Sequence, residues 1–259
     1  MHTKEEKLRE FDRLLDIMSR LRKECPWDKE QTFESLRTLT IEETFELADA
    51  IIKGDKKEIS KELGDLLLHI AFYSEIGSET NDFDIYDITH ILCEKLIYRH
   101  PHIFGNTAVE NSAMVMQNWE SLKLKERGGN KSVLSGVPVS LPALIKAYRI
   151  QDKARSVGFD WEERTQVWDK IREEFEELKT EIDAMDQDKI EAEFGDLFFS
   201  LINAARLYQV NPENALERTN RKFIDRFNYL ESKTLTLGKD LKLMSLAEME
   251  AIWNEAKSK

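Results

Sequence analysis

Apolar residues along the chain recur at intervals of three and four, the period of an amphipathic α-helix, and long stretches keep that period without a strand-like alternation. Leu8, Phe11, Leu14, Leu15, Met18 and Leu21 predict a helix over residues 5–23 that stops before Cys25-Pro26-Trp27-Asp28, where Pro26 marks a loop. Thr32 opens the next helix, which carries Ile41, Phe45, Leu47, Ala48, Ile51 and Ile52. Lys53-Gly54-Asp55 reads as a turn, and Ile59, Leu63, Leu66 and Leu67 continue the apolar stripe beyond it, so the two stretches predict a helical hairpin. The run from Leu66 to Phe72 is apolar nearly all round, as is the later run from Leu197 to Ile202, which predicts burial between neighbours or in a subunit interface. Leu144 through Ala154 predicts another helix. The fold class is all-α.

Acidic residues punctuate these stripes in a repeated order. Glu43 and Glu46 stand three apart and share a helix face, as do Glu62 and Asp65, with Glu42 leading the first pair. Glu46 and Glu62 each lie eight residues from Gly54, about 12 Å along their helices, so an antiparallel hairpin brings them level. The same order returns 131 residues later as Glu173, Glu174, Glu177, Glu193 and Asp196, around a turn at Met185-Asp186-Gln187. Two copies at one spacing indicate tandem repeats of a helical-hairpin bundle, although duplication alone also preserves a purely structural feature. Carboxylates converging at the edge of a packed seam repel one another and lose solvation unless a cation joins them. Oxygen donors of this kind suit Mg²⁺, or Mn²⁺.

Composition narrows the partners. Acids number 50 against 38 lysines and arginines, and the net charge of -12 repels nucleic acid and anionic membrane. A polyanionic ligand therefore needs a cation or a local basic patch. The two cysteines, Cys25 and Cys93, belong to no metal-binding or paired motif, no apolar run reaches membrane-spanning length, and the N-terminus lacks the apolar core of a signal peptide; the expected compartment is the cytoplasm. Gly128-Gly129 and then Pro138 and Pro142 are the clearest linker, giving a first domain at 1–125, a linker at 126–142 and a second domain at 143–259.

Lesser marks recur as well. Trp27-Asp28 and Phe159-Asp160, followed by Trp161, place an aromatic beside an aspartate ahead of each acid-bearing helix, suited either to stacking on a nucleobase or to plugging the helix entry. Lys95 and Arg99 answer to Lys222 and Arg226, pairs at i and i+4 that can grip a phosphate from one helix face, and Trp119 answers to Trp253. His69, whose counterpart is Ser200, reads better as a buried hydrogen-bonded histidine than as a metal ligand.

Taken in order, the doubled acid motif, Cys25-Pro26-Trp27-Asp28, the His100-Pro101-His102-Ile103-Phe104-Gly105 run and the stretch from Lys153 to Trp161 resemble the MazG-type nucleoside triphosphate pyrophosphohydrolases over nearly the whole chain. The resemblance implies an all-α homodimer that uses Mg²⁺ to split nucleoside triphosphates into monophosphate and pyrophosphate, with its second repeat more firmly tied to activity. It implies metal binding by Glu174, Glu177, Glu193 and Asp196, and by Glu43, Glu46, Glu62 and Asp65 in the first repeat. It further implies that Glu173 and Glu174 serve the chemistry, that Lys222 and Arg226 contact phosphates, and that Asn220 and Trp253 lie near the nucleotide. A di-iron carboxylate bundle is a poor alternative, since both repeats show Glu-x-x-Asp where Glu-x-x-His is needed.

Overall fold

A computed structural model describes residues 1–109, 111, 114–115, 118–119, 122–123 and 132–257. The described residues form eleven α-helices and one short 3₁₀ turn and no strand, in agreement with the all-α expectation. The chain divides into two compact units, Met1–Val109 and Glu110–Lys259. The Gly128-Gly129 part of the expected linker lies outside the described residues.

In the first unit, α1 (Lys4–Glu24) starts on a capping box in which Thr3 accepts from the Glu6 amide and Glu6 accepts from the Thr3 amide. A short α2 (Pro26–Glu30) leads into α3 (Phe33–Lys53), α4 (Lys56–Glu79), α5 (Ile85–Arg99) and α6 (Pro101–Phe104). The α3–α4 hairpin is the main packing unit, and α1 lies against α4. Met18, Leu36, Ala71, Phe72 and Ile76 form its buried core, with Leu14, Leu15, Leu39, Leu68 and Tyr73 packed around them.

The second unit begins its regular structure with α7 (Ala143–Ser156) and continues with α8 (Gln166–Ala184), α9 (Gln187–Leu207), α10 (Pro212–Thr236) and α11 (Leu246–Lys257). Here α8 and α9 are the hairpin, and α7 packs against both α9 and α10. The two hairpins turn in the same way. Gly54 and Met185 both take the left-handed conformation, at φ 72° and 58°, and Asp55 and Asp186 then cap the following helices through their side chains. Glycine adopts that conformation without strain, whereas Met185 carries a Cβ penalty of about 1–2 kcal/mol there.

Candidate active site

The hairpins bury Glu62 and Glu174 because these two acids fall on the same stripe as the core residues. On α8, Val167, Glu174 and Leu178 are all buried and lie at intervals of seven and four. On α3, Glu43 occupies the corresponding place between the buried Leu36 and Ala50. The second helix of each hairpin supplies the facing acids, and among these Glu62 is buried to 3% exposure.

In the second unit, carboxylate oxygens of Glu174, Glu177 and Glu193 all lie within 4.8 Å of one another; in the first, those of Glu43, Glu62 and Asp65 do. The structure thus brings together three acids of each expected quartet, and a different three in each repeat. Glu46 and Asp196 are exposed and stand outside the trios, yet their charges help to raise the carboxyl pKa of Glu43 and Glu193. For both groups burial is the first cause; the neighbouring acids add to it, Asp65, Glu46, Glu62 and Glu42 around Glu43, and Glu177, Asp196, Glu174 and Glu181 around Glu193. Glu62 Oε2 and Glu193 Oε2 are buried with no hydrogen-bond partner. Convergent all-oxygen donors, with a raised pKa at Glu43 and Glu193 and an orphaned oxygen on Glu62 and on Glu193, fit a hard divalent cation such as Mg²⁺.

One lysine enters each cluster, from positions that do not correspond. Lys170 Nζ contacts Glu174 at 2.7 Å and Glu173 at 2.9 Å, and these hydrogen bonds raise its pKa above the ordinary lysine range. Lys61 Nζ contacts Glu62 at 2.8 Å and Asp65 at 4.0 Å. Glu173, expected from the resemblance to serve the chemistry, is exposed and holds Lys170. Glu42 is exposed.

Beside Glu174 and Asp196 the second unit opens a cleft of about 680 Å³ whose wall includes Lys170, Phe159, Trp161, Gln151, Asn203 and Arg206. The first unit fills part of the matching positions, and a smaller cleft of about 510 Å³ remains there at Ser19, Lys23 and Glu75. Counting back 131 residues, Lys170, Phe199, Ser200 and Asn203 of the cleft correspond to Leu39, Leu68, His69 and Phe72, and these belong to or adjoin the solid core described above. His69 itself is buried, with Nδ1 2.6 Å from the Thr40 hydroxyl, which also lies 2.7 Å from the Tyr73 hydroxyl. Burial lowers the His69 pKa, with Asp65 pulling weakly the other way. The sequence marked Phe159, Asp160 and Trp161, but it did not single out Lys170, Gln151, Asn203 or Arg206. For Lys170 and Asn203 the available signal was the replacement of an apolar residue of the first repeat, Leu39 or Phe72, by a polar one in the second.

Lys222, Arg226 and Asn220 lie on α10 and Trp253 on α11, outside the lining of the cleft. Arg226 lies over the Trp253 indole at 6.0 Å, Phe223 packs 5.0 Å from the same ring, and Asn220 donates to Glu217 at 3.4 Å. Lys222 is exposed.

Fold and site together define an all-helical tandem repeat in which each hairpin presents a carboxylate cluster and one of the two adjoins a ligand-sized cleft. The MazG nucleotide pyrophosphohydrolase domain matches the chain twice, at residues 31–104 and 163–230. The chain is 41% identical over 257 residues to the nucleoside triphosphate pyrophosphohydrolase of Escherichia coli (strain K12), a match covering 96% of this chain and 98% of that protein. It is 40% identical over 250 residues to the nucleoside triphosphate pyrophosphohydrolase/pyrophosphatase MazG of Thermotoga maritima, covering 95% of each. The uncharacterized protein YabN of Bacillus subtilis is 43% identical over 260 residues, which cover 98% of this chain and 53% of that longer one. The chain belongs to the MazG nucleotide pyrophosphohydrolase family.

Proposed function

We propose that the protein hydrolyses nucleoside triphosphates to the nucleoside monophosphate and pyrophosphate, that it uses Mg²⁺, with Mn²⁺ as the alternative, and that the second repeat carries the reaction. The observation behind the last point is the cleft against Glu174 and Asp196, four of whose positions are taken in the first repeat by Leu39, Leu68, His69 and Phe72. Glu174, Glu177, Glu193 and Asp196 would hold the metal there, and Glu43, Glu46, Glu62 and Asp65 in the first repeat. A bound Mg²⁺ offsets phosphate charge and polarises the bond to be broken. Glu173 and Glu174 hold Lys170 at the boundary between carboxylates and cleft, and a carboxylate there can order or deprotonate the attacking water. Lys222 and Arg226 are the proposed phosphate contacts, flanked by Asn220 and Trp253.

The test is a panel of nucleoside triphosphates with Mg²⁺, resolving monophosphate plus pyrophosphate from diphosphate plus phosphate. Glu174→Gln and Asp196→Asn should abolish metal-dependent pyrophosphate release, and Glu193→Gln should reduce it far more than Glu62→Gln. Equal loss from the last two would defeat the assignment to the second repeat.

We further infer a homodimer in the cytoplasm, with 1–125 and 143–259 as its working domains and 126–142 between them. Leu63, Leu67 and Ile70 on α4, and Phe194, Phe198 and Leu201 on α9, are exposed and lie at intervals of four and three, one apolar stripe per hairpin. A second copy is the simplest cover for two matching stripes. Among the described residues no helix is long and apolar enough to cross a membrane, and the charge of -12 disfavours nucleic acid. Light scattering that gives the single-chain mass of 30.3 kDa at every concentration would refute the dimer.

A further inference from the structure

The cleft contains two amides whose orientations its own hydrogen bonds decide. Gln151 is buried to 6% exposure, and its side chain donates to the Phe199 carbonyl at 2.8 Å. Only the amide nitrogen can donate to a carbonyl, so the other end is the oxygen; that oxygen is buried and has no hydrogen-bond partner in the protein. Asn203 is fixed by the opposite constraint. Its Oδ1 accepts from Arg206 Nε at 3.1 Å and from Arg206 Nη2 at 2.8 Å, and a guanidinium only donates, so the Asn203 nitrogen is left as a donor. Arg206 is in turn held by Asp160 through two hydrogen bonds, one of 3.0 Å from Nη1 to Oδ2 and one from Nη2 to Oδ1. The neighbouring aromatics, Phe159 and Trp161, are both exposed.

A buried amide oxygen without a donor costs on the order of 1–3 kcal/mol, so a ligand group that supplies an N–H there binds with that penalty relieved. A phosphate cannot be that ligand, because it brings only acceptors to Gln151. A ribose hydroxyl can donate, but it has no need of aromatic walls. A nucleobase edge offers an N–H beside a ring nitrogen or carbonyl, together with a flat apolar face, and this matches an acceptor, a donor and two aromatics in the lining of one cleft.

We propose that this cleft takes the base of the nucleotide, with Gln151 accepting from a base N–H and Asn203 donating to the adjacent acceptor. Asp160 and Arg206 are positioning residues that hold Asn203. The inference rests on the pyrophosphohydrolase reading above and adds to it which part of the substrate the cleft reads.

The experiment compares kcat/KM for the four common nucleoside triphosphates with that for ribose 5′-triphosphate, which has the same phosphates and no base. Gln151→Leu removes the acceptor, and Asn203→Asp keeps an acceptor for Arg206 while removing the donor. In each variant the ratio of the preferred nucleotide to ribose 5′-triphosphate should fall roughly three- to tenfold, the worth of one hydrogen bond. If circular dichroism shows one variant unfolded, the other carries the test. A ratio that holds in the folded variants overturns the proposal, and it does so most directly if Trp253→Ala lowers the ratio instead, placing the base on α11. Should the wild type release no pyrophosphate from any nucleotide, the activity reading fails. The base reading is then decided by calorimetry of nucleoside 5′-monophosphates against ribose 5-phosphate with wild type and Gln151→Leu, where equal affinities would overturn it.

Discussion

Asp160→Asn should destabilise the second unit by about 2–3 kcal/mol, and the number follows from what the substitution leaves behind. The Arg206 side chain is 6% exposed and that of Asp160 is 21% exposed. Removing one partner of a buried ion pair costs roughly 3–5 kcal/mol, because the remaining charge stays desolvated. The partial exposure of Asp160 and the retained amide oxygen, which still accepts one hydrogen bond, bring the cost to the lower end or just below it. For a unit of this length that corresponds to a fall of roughly 5–10 °C in Tm. Calorimetry of the metal-free protein at neutral pH measures it, with Arg206→Met and the double variant completing a cycle. Arg206→Met should cost less, since Asp160 can rehydrate, and the double variant should be more stable than additivity predicts by about 1.5–3 kcal/mol. Burial pushes the Asp160 carboxyl up, but the Arg206 hydrogen bonds, the Trp161 amide and the charges of Arg206 and Arg155 outweigh it and hold the pKa below its ordinary value. A depressed carboxylate pKa contributes stability above the unfolded-state value and loses it as pH falls through the folded one. The gap between wild type and Asp160→Asn should therefore close below about pH 4. An Asp160→Asn protein within 0.5 kcal/mol of wild type, or a strictly additive cycle, would refute the reasoning.

Three further outcomes follow from single residues. His69 is held neutral by burial, so its folded pKa lies below the unfolded value of about 6.5; its contribution is complete above that pH and is lost on acidification, and the Tm of wild type relative to His69→Gln should fall between pH 7.5 and 5.5. Met185→Gly relieves the left-handed strain at the second hairpin turn, partly offset by glycine's entropy in the unfolded chain, and should raise stability by about 0.5–1 kcal/mol in denaturant melts; a loss would show that the side chain matters there. Asn203→Phe installs in the second repeat the residue that fills the first at Phe72, and should raise KM for nucleotides by roughly tenfold or more in steady-state assays while the unit still folds.

The hairpins were legible because their determinants are local. Gly54 and Asp55 announce one turn, the 3.6-residue stripe sets both faces, and repetition 131 residues later points to the other turn although Met185 lacks the usual glycine. Which acids converge was not legible. Spacing places Glu43, Glu46, Glu62 and Asp65 on facing helices, but side-chain rotamers decide that Glu46 stands apart, just as Asp196 does in the second repeat. The cleft was not legible either, since it depends on side-chain volumes from α7, α8, α9 and the loop before α8 together.

Its trace nevertheless lies in the comparison of the two repeats. Where both keep an apolar residue, as at Leu36 and Val167, both bury it to 1% exposure. Where the first repeat has Leu39 and Phe72, the second has Lys170 and Asn203, and there the packed core gives way to the cleft. An empty cavity lined only by leucine and phenylalanine forfeits dispersion contacts and favours collapse. One lined by an ammonium, two amides and a guanidinium resists collapse, because closing it would strand those groups away from water or a ligand. The polar substitutions thus keep the space open, and the charges of Lys170 and Arg206 are set against those of Asp160, Glu174 and Asp196 around it. A duplicated hairpin can in this way divide its work: one copy fills these positions with core side chains, and the other keeps room for a ligand beside its carboxylates.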